Sequence, residues 1–275
     1  MHAHLRPTGP AGNATRPPAR PLRRLTGPLA LALPALLVAC TADQPADPPQ
    51  TPATTPVPAG LDAARDELAA LAAAAQDRHL VATYTLRSPG APDRAILVTS
   101  ANDGTWRVDV PGGALGGTAD VSLAATADGL FQCGLPSAGR PEPAACVRLG
   151  DPDDTVPRRL DPRVQHPFTD WLAVLTDRRA PLAVSPAQPP PGAAGACYSV
   201  ETTSASMNAP LDVGIYCYDP DGTPTAVRAA FGTLTLAGPP APAPATVQLA
   251  GPVVDGEPLG SATPEPSGTP SAGTS

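Results

Sequence analysis

Short segments in which apolar and polar side chains alternate run through most of this chain. Trp106, Val108 and Val110, for example, are separated by charged residues, and the Asp103-Gly104 pair before them is typical of a hairpin turn. Comparable segments lie at residues 81–86, 96–98, 121–123, 130–131, 145–149, 196–201, 213–218 and 225–236, and Ala127-Asp128-Gly129 is a predicted turn between the third and the fourth of these. Because short strands joined by turns pair with their sequence neighbours, the pattern predicts an antiparallel meander with one solvent-facing surface.

Two segments instead have helical periodicity. Residues 61–78 are rich in Ala and place Leu68 and Leu71 on one face, and residues 168–179 follow Pro167 and carry Phe168, Trp171 and Leu175 on one face. The chain is therefore predicted to be an α+β protein, in which an N-terminal helix and a mid-chain helix pack on one face of the sheet.

Four cysteines lie inside the strand-forming region. Cys133 and Cys146 flank one loop between neighbouring strands, and Cys197 and Cys217 flank another. Four cysteines allow three pairings, and the spacing favours Cys133 with Cys146 and Cys197 with Cys217. The alternative is a metal or redox site, but the chain has no Cys-x-x-Cys spacing, so two disulfides in an exported domain are the simpler prediction.

The N-terminal region has the layout of an export signal. Its first forty residues include five Arg and no acidic residue, and an apolar run ends in Leu37-Val38-Ala39-Cys40. These four residues resemble the lipobox of bacterial lipoproteins, in which the Cys receives a diacylglyceryl group and the chain is cut before it. The resemblance implies a lipid-anchored protein on the extracytoplasmic face of the cell membrane, with Cys40 as the lipidation site. An ordinary secretory signal is the alternative.

Composition fixes the expected domain limits and excludes one class of partner. All two Trp, four Tyr and three Phe residues lie between Tyr84 and Phe231. The predicted order is a signal peptide (1–39), a Pro-, Thr- and Ala-rich spacer (40–60), one globular domain (61–237) and a disordered tail (238–275).

Removal of residues 1–39 takes away five of the 18 basic residues and none of the 25 acidic ones, so the formal charge falls from −7 to about −12. A chain this acidic is not expected to bind nucleic acid. Its basic residues are all Arg, which is typical of GC-rich genomes such as those of actinobacteria.

The sequence offers little support for catalysis. His79 and His166 are the only imidazoles after Cys40, and each is interpreted as a surface or capping residue. No nucleophile elbow, phosphate-binding loop or dinucleotide fingerprint is present. The acidic cluster Asp151, Asp153 and Asp154 is interpreted as a solvated loop. We expect a non-enzymatic protein with no cofactor and no metal.

The order of lipobox, spacer, helix, meander, second helix and further strands resembles the lipid-carrier lipoproteins of mycobacteria and the periplasmic lipoprotein chaperones. The resemblance implies a strongly curved sheet that shelters acyl chains, and hence the binding or carriage of a lipid or other apolar ligand in the cell envelope. The residues then expected to line the cavity are Tyr84, Ile96, Trp106, Val108, Phe131, Phe168, Trp171 and Leu175. The same residues suit a packed core equally well. The alternative function is an envelope interaction module that binds cell-wall polymer or a partner protein.

Overall fold

The fold is taken from a computed structural model of the 275-residue chain, which describes residues 61–204 and 209–262. The expected signal peptide, lipidated Cys40, spacer and last thirteen residues of the expected tail lie outside the described residues.

Helix α1 (Leu61–Gln76) buries a narrow stripe made of Ala64, Leu68, Ala72 and Ala75. Helical spacing places these residues on one face, and Ala favours the helix because it loses no side-chain entropy there. The second helix, α2 (Asp170–Thr176), is shorter than the predicted 168–179.

A 3₁₀ turn, His166–Phe168, precedes α2, and Pro167 suits this position because it needs no hydrogen-bond donor. After α2 the backbone is already extended at Asp177.

All strand pairs within one large sheet are antiparallel, and the strand order is β6-β5-β4-β3-β2-β1-β11-β10-β9-β8-β7, with β12 pairing β1 beside β11. The strands are β1 (Leu80–Arg87), β2 (Arg94–Ser100), β3 (Trp106–Ala114), β4 (Ala119–Thr126), β5 (Gly129–Gly134), β6 (Ala145–Gly150), β7 (Leu182–Pro186), β8 (Ala196–Thr202), β9 (Gly214–Tyr218), β10 (Pro224–Ala229), β11 (Gly232–Leu236) and β12 (Ala241–Pro242). The α+β class and the antiparallel sheet predicted from sequence are confirmed; the sheet consists of two meanders, β1 to β6 and β7 to β11, joined where β1 pairs β11.

Two elements differ from the sequence prediction. Residues 225–236, expected as one strand, form the hairpin of β10 and β11, in which Ala229 pairs with Gly232. Gly232 has φ +129°, a conformation that few other residues adopt, and this allows the chain to reverse there. Strand β7 was not expected, because its Pro-flanked sequence gives only a weak alternation.

The main hydrophobic core contains buried residues of both helices and of the sheet. One continuous cluster contains Leu68 of α1, Trp171 of α2, Val110 of β3 and Val200 of β8. Two polar contacts secure α1: Tyr198 Oη donates to Glu67 Oε2 at 3.0 Å, and Arg65 donates to the carbonyl of Asp177 at 2.6 Å. Helix α2 has only seven residues, too few to be stable alone, so burial of Trp171, Leu172 and Leu175 holds it.

Residues 241–262 correct the prediction that disorder begins at 238. After β12 this C-terminal segment accepts hydrogen bonds on Pro244 O from Asn102 N (3.0 Å) and on Gln248 O from Arg107 (3.1 Å). Arg107 is on the outer face of β3, because its neighbour Val108 points into the core. The segment therefore lies over the outer face, and β4 and β5 are buried on both sides.

The segment then passes the edge of the sheet. Cys146 N donates to Pro252 O and Val254 N donates to Cys146 O, both at 2.8 Å, which forms a parallel bridge to β6. Further on, Leu115 N donates to Gly260 O at 2.8 Å. The composition is poor in apolar bulk, but the segment is held by backbone hydrogen bonds, which composition does not reveal.

Both disulfides have the pairing that the sequence favoured. Cys133 bonds to Cys146 and Cys197 bonds to Cys217, and each pair occupies directly opposite positions on neighbouring strands.

Candidate functional site: an apolar cavity and an adjoining acidic pocket

An apolar cavity of about 190 Å³ lies between the C-terminal end of α1, the start of α2 and strands β1 to β3. Engineered cavities of about 150 Å³ with aliphatic and aromatic walls bind benzene, so this space is sufficient for a small apolar group. The apolar walls consist of Leu80, Tyr84, Val98, Trp106, Phe168 and Leu172.

Tyr84 forms one side of the cavity and is itself fixed. Its ring lies 4.7 Å from that of Phe168, and its hydroxyl donates to Pro224 O at 2.9 Å. Burial raises the pKa of the Tyr84 phenol well above its usual value, and the nearby Tyr218 adds to the effect. The phenol is therefore a neutral wall group and not an acid or base at physiological pH.

Polar residues mark the side of the cavity nearest solvent. Gln76 and His79 are exposed, whereas Arg78 is half-buried and forms an ion pair with Asp221 at 3.0 Å. This places the entrance at the junction of α1 and β1. The expectation that His79 is a surface residue agrees with its exposure.

The eight residues predicted to line a cavity fall into three groups. Tyr84, Trp106 and Phe168 line the observed cavity. Ile96, Val108, Trp171 and Leu175 belong to the main core without lining it.

Phe131 alone lies on the opposite face. In the sheet register Phe131 is opposite Ala124, whereas the inward Leu123 is opposite Gln132. Successive residues of a strand point to opposite faces, so Phe131 points away from the cavity. The prediction that it lines the cavity is wrong, and the cause is that Leu130 and Phe131 are adjacent and both apolar.

His166 is not the surface or capping residue that the sequence suggested. Its side chain is only 12% exposed and lies between two carboxylates, with Nε2 at 2.8 Å from Asp161 Oδ2 and Nδ1 at 2.6 Å from Asp170 Oδ1. The ring also stacks on Trp171, with centroids 5.1 Å apart. Both imidazole nitrogens are thus engaged.

The carboxylates control the charge of this imidazole. Burial acts to lower the pKa of His166, but hydrogen bonds and opposite charge from Asp161 and Asp170 outweigh it and raise the pKa to about 9. Burial acts to raise the pKa of Asp161, yet its bonds to His166 and Gln165 lower it overall. His166 is therefore an imidazolium at neutral pH, held in an ion-paired group.

Two further pockets, of about 260 and 530 Å³, have both charged and apolar residues in their walls and include His166 and Asp170 among their lining residues. We call the smaller one the acidic pocket; it is lined by Asp153, Asp154, Gln165, His166, Asp170, Thr169 and Trp106, among others. The acidic loop residues are exposed, as expected. Sequence reasoning missed this site, although the four-residue spacing of His166 and Asp170 at a helix start was a usable signal.

Within residues 61–204 and 209–262, no group of three or more His, Cys, Asp and Glu side chains is arranged to hold a metal ion. In the His166 group the reason is geometric, because the two imidazole nitrogens face different carboxylates. Neither α1 nor any other helix of the described part has the length and hydropathy needed to cross a membrane.

No protein-family model and no curated protein matches this chain.

Proposed function

We propose that this protein is a lipoprotein anchored through Cys40 to the extracytoplasmic face of the cell membrane, and that its domain binds a lipid or another apolar ligand without catalysing a reaction. The observation that supports the ligand is the apolar cavity lined by Tyr84, Trp106 and Phe168. The anchor rests on the Leu37-Val38-Ala39-Cys40 sequence at the end of an apolar run.

We further propose that the sheet is strongly curved and holds the two helices in its concavity. Val121 of β4 and Val184 of β7 belong to one core cluster although eight strand spacings separate them. In a flat sheet this separation is about 38 Å, at roughly 4.8 Å per strand. The contacts of α1 point to bending: Glu67 accepts a hydrogen bond from Tyr198 of β8, and Ala75, about 12 Å further along the helix, lines the cavity together with Trp106 of β3, which is six strand spacings from β8.

The cavity volume limits the ligand in this conformation to one ring or a short alkyl chain. A longer acyl chain requires α2 to move away from β1 to β3. Helix α2 has only seven residues and follows a 3₁₀ turn, so it is the smallest element whose movement enlarges the cavity.

The alternative is an envelope module that recognises cell-wall polymer or a partner protein. Exposed aromatic residues on one face would favour this alternative. Every Trp, Tyr and Phe of the chain lies in the described part, and each is buried or partly buried. The apolar cavity therefore makes ligand binding the better-supported proposal.

Octan-1-ol is a suitable neutral probe, because its chain matches the cavity and Trp106 in the wall reports binding by fluorescence. The full chain with Cys40→Ser, prepared without detergent, is expected to bind it in titration calorimetry, with a change in emission. Ser100 lines the cavity, so Ser100→Phe is expected to abolish binding. Ser185→Phe, on β7 and outside the lining, is the matched control and is expected to bind normally. Failure of the Cys40→Ser protein to bind octan-1-ol would overturn the proposal.

A further inference from the structure

The apolar cavity and the acidic pocket adjoin. Trp106 and Thr169 line both, so these two residues lie between the apolar cavity and a pocket whose wall carries carboxylates. A ligand that extends through both spaces would place an apolar part in the apolar cavity and a polar part in the acidic pocket. This is the arrangement of an amphiphile.

The acidic pocket has the electrostatics of a cation site. Asp153 and Asp154 contribute exposed carboxylates, and Asp170 contributes a third. His166, the basic residue in the lining of this pocket, is already paired with both Asp161 and Asp170. The pocket is therefore negative overall and repels an anionic head group.

A buried acceptor in the wall supplies a second, independent indication. Gln165 is 1% exposed and lines this pocket, and its Oε1 has no hydrogen-bond partner among the described residues. Its amide orientation is fixed, because Nε2 donates to Asp161 Oδ1 at 2.7 Å. A buried amide oxygen without a donor is costly, so a ligand N–H that reaches it from the pocket would be stabilised there.

We infer that the acidic pocket binds the ammonium group of an amphiphile whose alkyl chain occupies the adjoining apolar cavity. This inference rests on the proposed function and narrows it to cationic or amine-bearing lipids. The carboxylates attract the charge, Gln165 Oε1 accepts a hydrogen bond from the ammonium, and the ring of Trp106 lies at the junction of head group and chain.

The test compares octylammonium, octan-1-ol, octanoate and methylammonium on the full chain with Cys40→Ser. Octylammonium is expected to bind about fivefold to tenfold more tightly than octan-1-ol, because its ammonium group gains one contact with a carboxylate and one hydrogen bond to Gln165 Oε1. Octanoate is expected to bind more weakly than both. Methylammonium has the ammonium group without the alkyl chain. If it bound as tightly as octylammonium, the alkyl chain would contribute nothing, and the inference would be overturned.

Three variants test whether the preference for octylammonium comes from the acidic pocket. Asp153→Asn, at an exposed position, and Gln165→Met, which removes the acceptor, are each expected to reduce the preference for octylammonium while octan-1-ol binding is retained. Asp128→Asn removes the same charge on the turn between β4 and β5 and is expected to leave the preference intact. If octan-1-ol binds but octylammonium binds no more tightly, this inference alone is refuted. If neither probe binds, the proposed function is refuted as well.

Discussion

Gln132 and Leu259 are joined by two reciprocal hydrogen bonds, from Gln132 Nε2 to Leu259 O at 3.0 Å and from Leu259 N to Gln132 Oε1 at 2.6 Å. Gln132 is buried in β5, and its amide therefore holds the backbone of the C-terminal segment as a paired strand would.

Replacement Gln132→Leu leaves the N–H and C=O of Leu259 without these partners. We expect a loss of about 1–3 kcal/mol in the free energy of unfolding, measured by urea denaturation. Gln248→Leu, in the same segment but with an exposed side chain, is the control and is expected to change stability by less than about 0.5 kcal/mol. Equal stability of the two variants would show that the segment contributes nothing through Gln132.

The His166 group predicts a loss of stability at alkaline pH. The pKa of His166 is about 9 in the folded protein, against an ordinary value of 6.5 in an unfolded chain, so the folded state binds this proton more tightly. The stabilisation is fully present below pH 6.5 and is lost as pH rises through 9, by an amount on the order of 3 kcal/mol. Urea denaturation from pH 6 to 10 measures it.

His166→Gln is expected to remove this pH dependence, whereas the exposed-site variant His79→Gln keeps it. A wild-type protein whose stability is constant between pH 6.5 and 9 would contradict the ion-paired arrangement.

The disulfide of β5 and β6 closes a short loop, with a sequence separation of 13 residues. The double variant Cys133→Ala/Cys146→Ala is expected to lose about 3 kcal/mol, as the loop-entropy relation gives for loops of this size. Chemical denaturation with and without reductant measures the loss, and peptide mapping under non-reducing conditions checks the pairing. An unchanged denaturation midpoint would argue against the entropic account.

Cys40→Ser tests the anchor. The variant is expected to leave the membrane fraction and to lose metabolic labelling by fatty acid, while circular dichroism of the domain is unchanged. The chain has five cysteines, and the four other than Cys40 are paired with each other. A Cys40→Ser protein that still sediments with membranes would refute lipid anchoring at this residue.

Sequence predicted the strands best where the alternation was strict, as at Trp106, Val108 and Val110. It failed at Phe131, since two adjacent apolar residues give no indication of which one faces inward. The cavity residues Tyr84, Trp106 and Phe168 were predicted, but the same criterion also selected Ile96, because periodicity identifies the inner face and not the gaps in its packing.

The polar features escaped prediction for a different reason. The environment of His166 depends on Asp161, which a loop brings back to it, and the C-terminal segment depends on backbone groups that every residue has. Neither depends on apolar periodicity, which is the strongest signal in a single sequence.

The parallel bridge between Cys146 and Val253 has a consequence for how copies of the protein meet. β6 ends the path of the sheet, and its outward backbone groups at Cys146 are already used by Pro252 and Val254. Unpaired edge strands are the usual starting points of strand-to-strand association between molecules. By bonding its own C-terminal segment there, the chain blocks this route to polymerisation at one edge of the sheet.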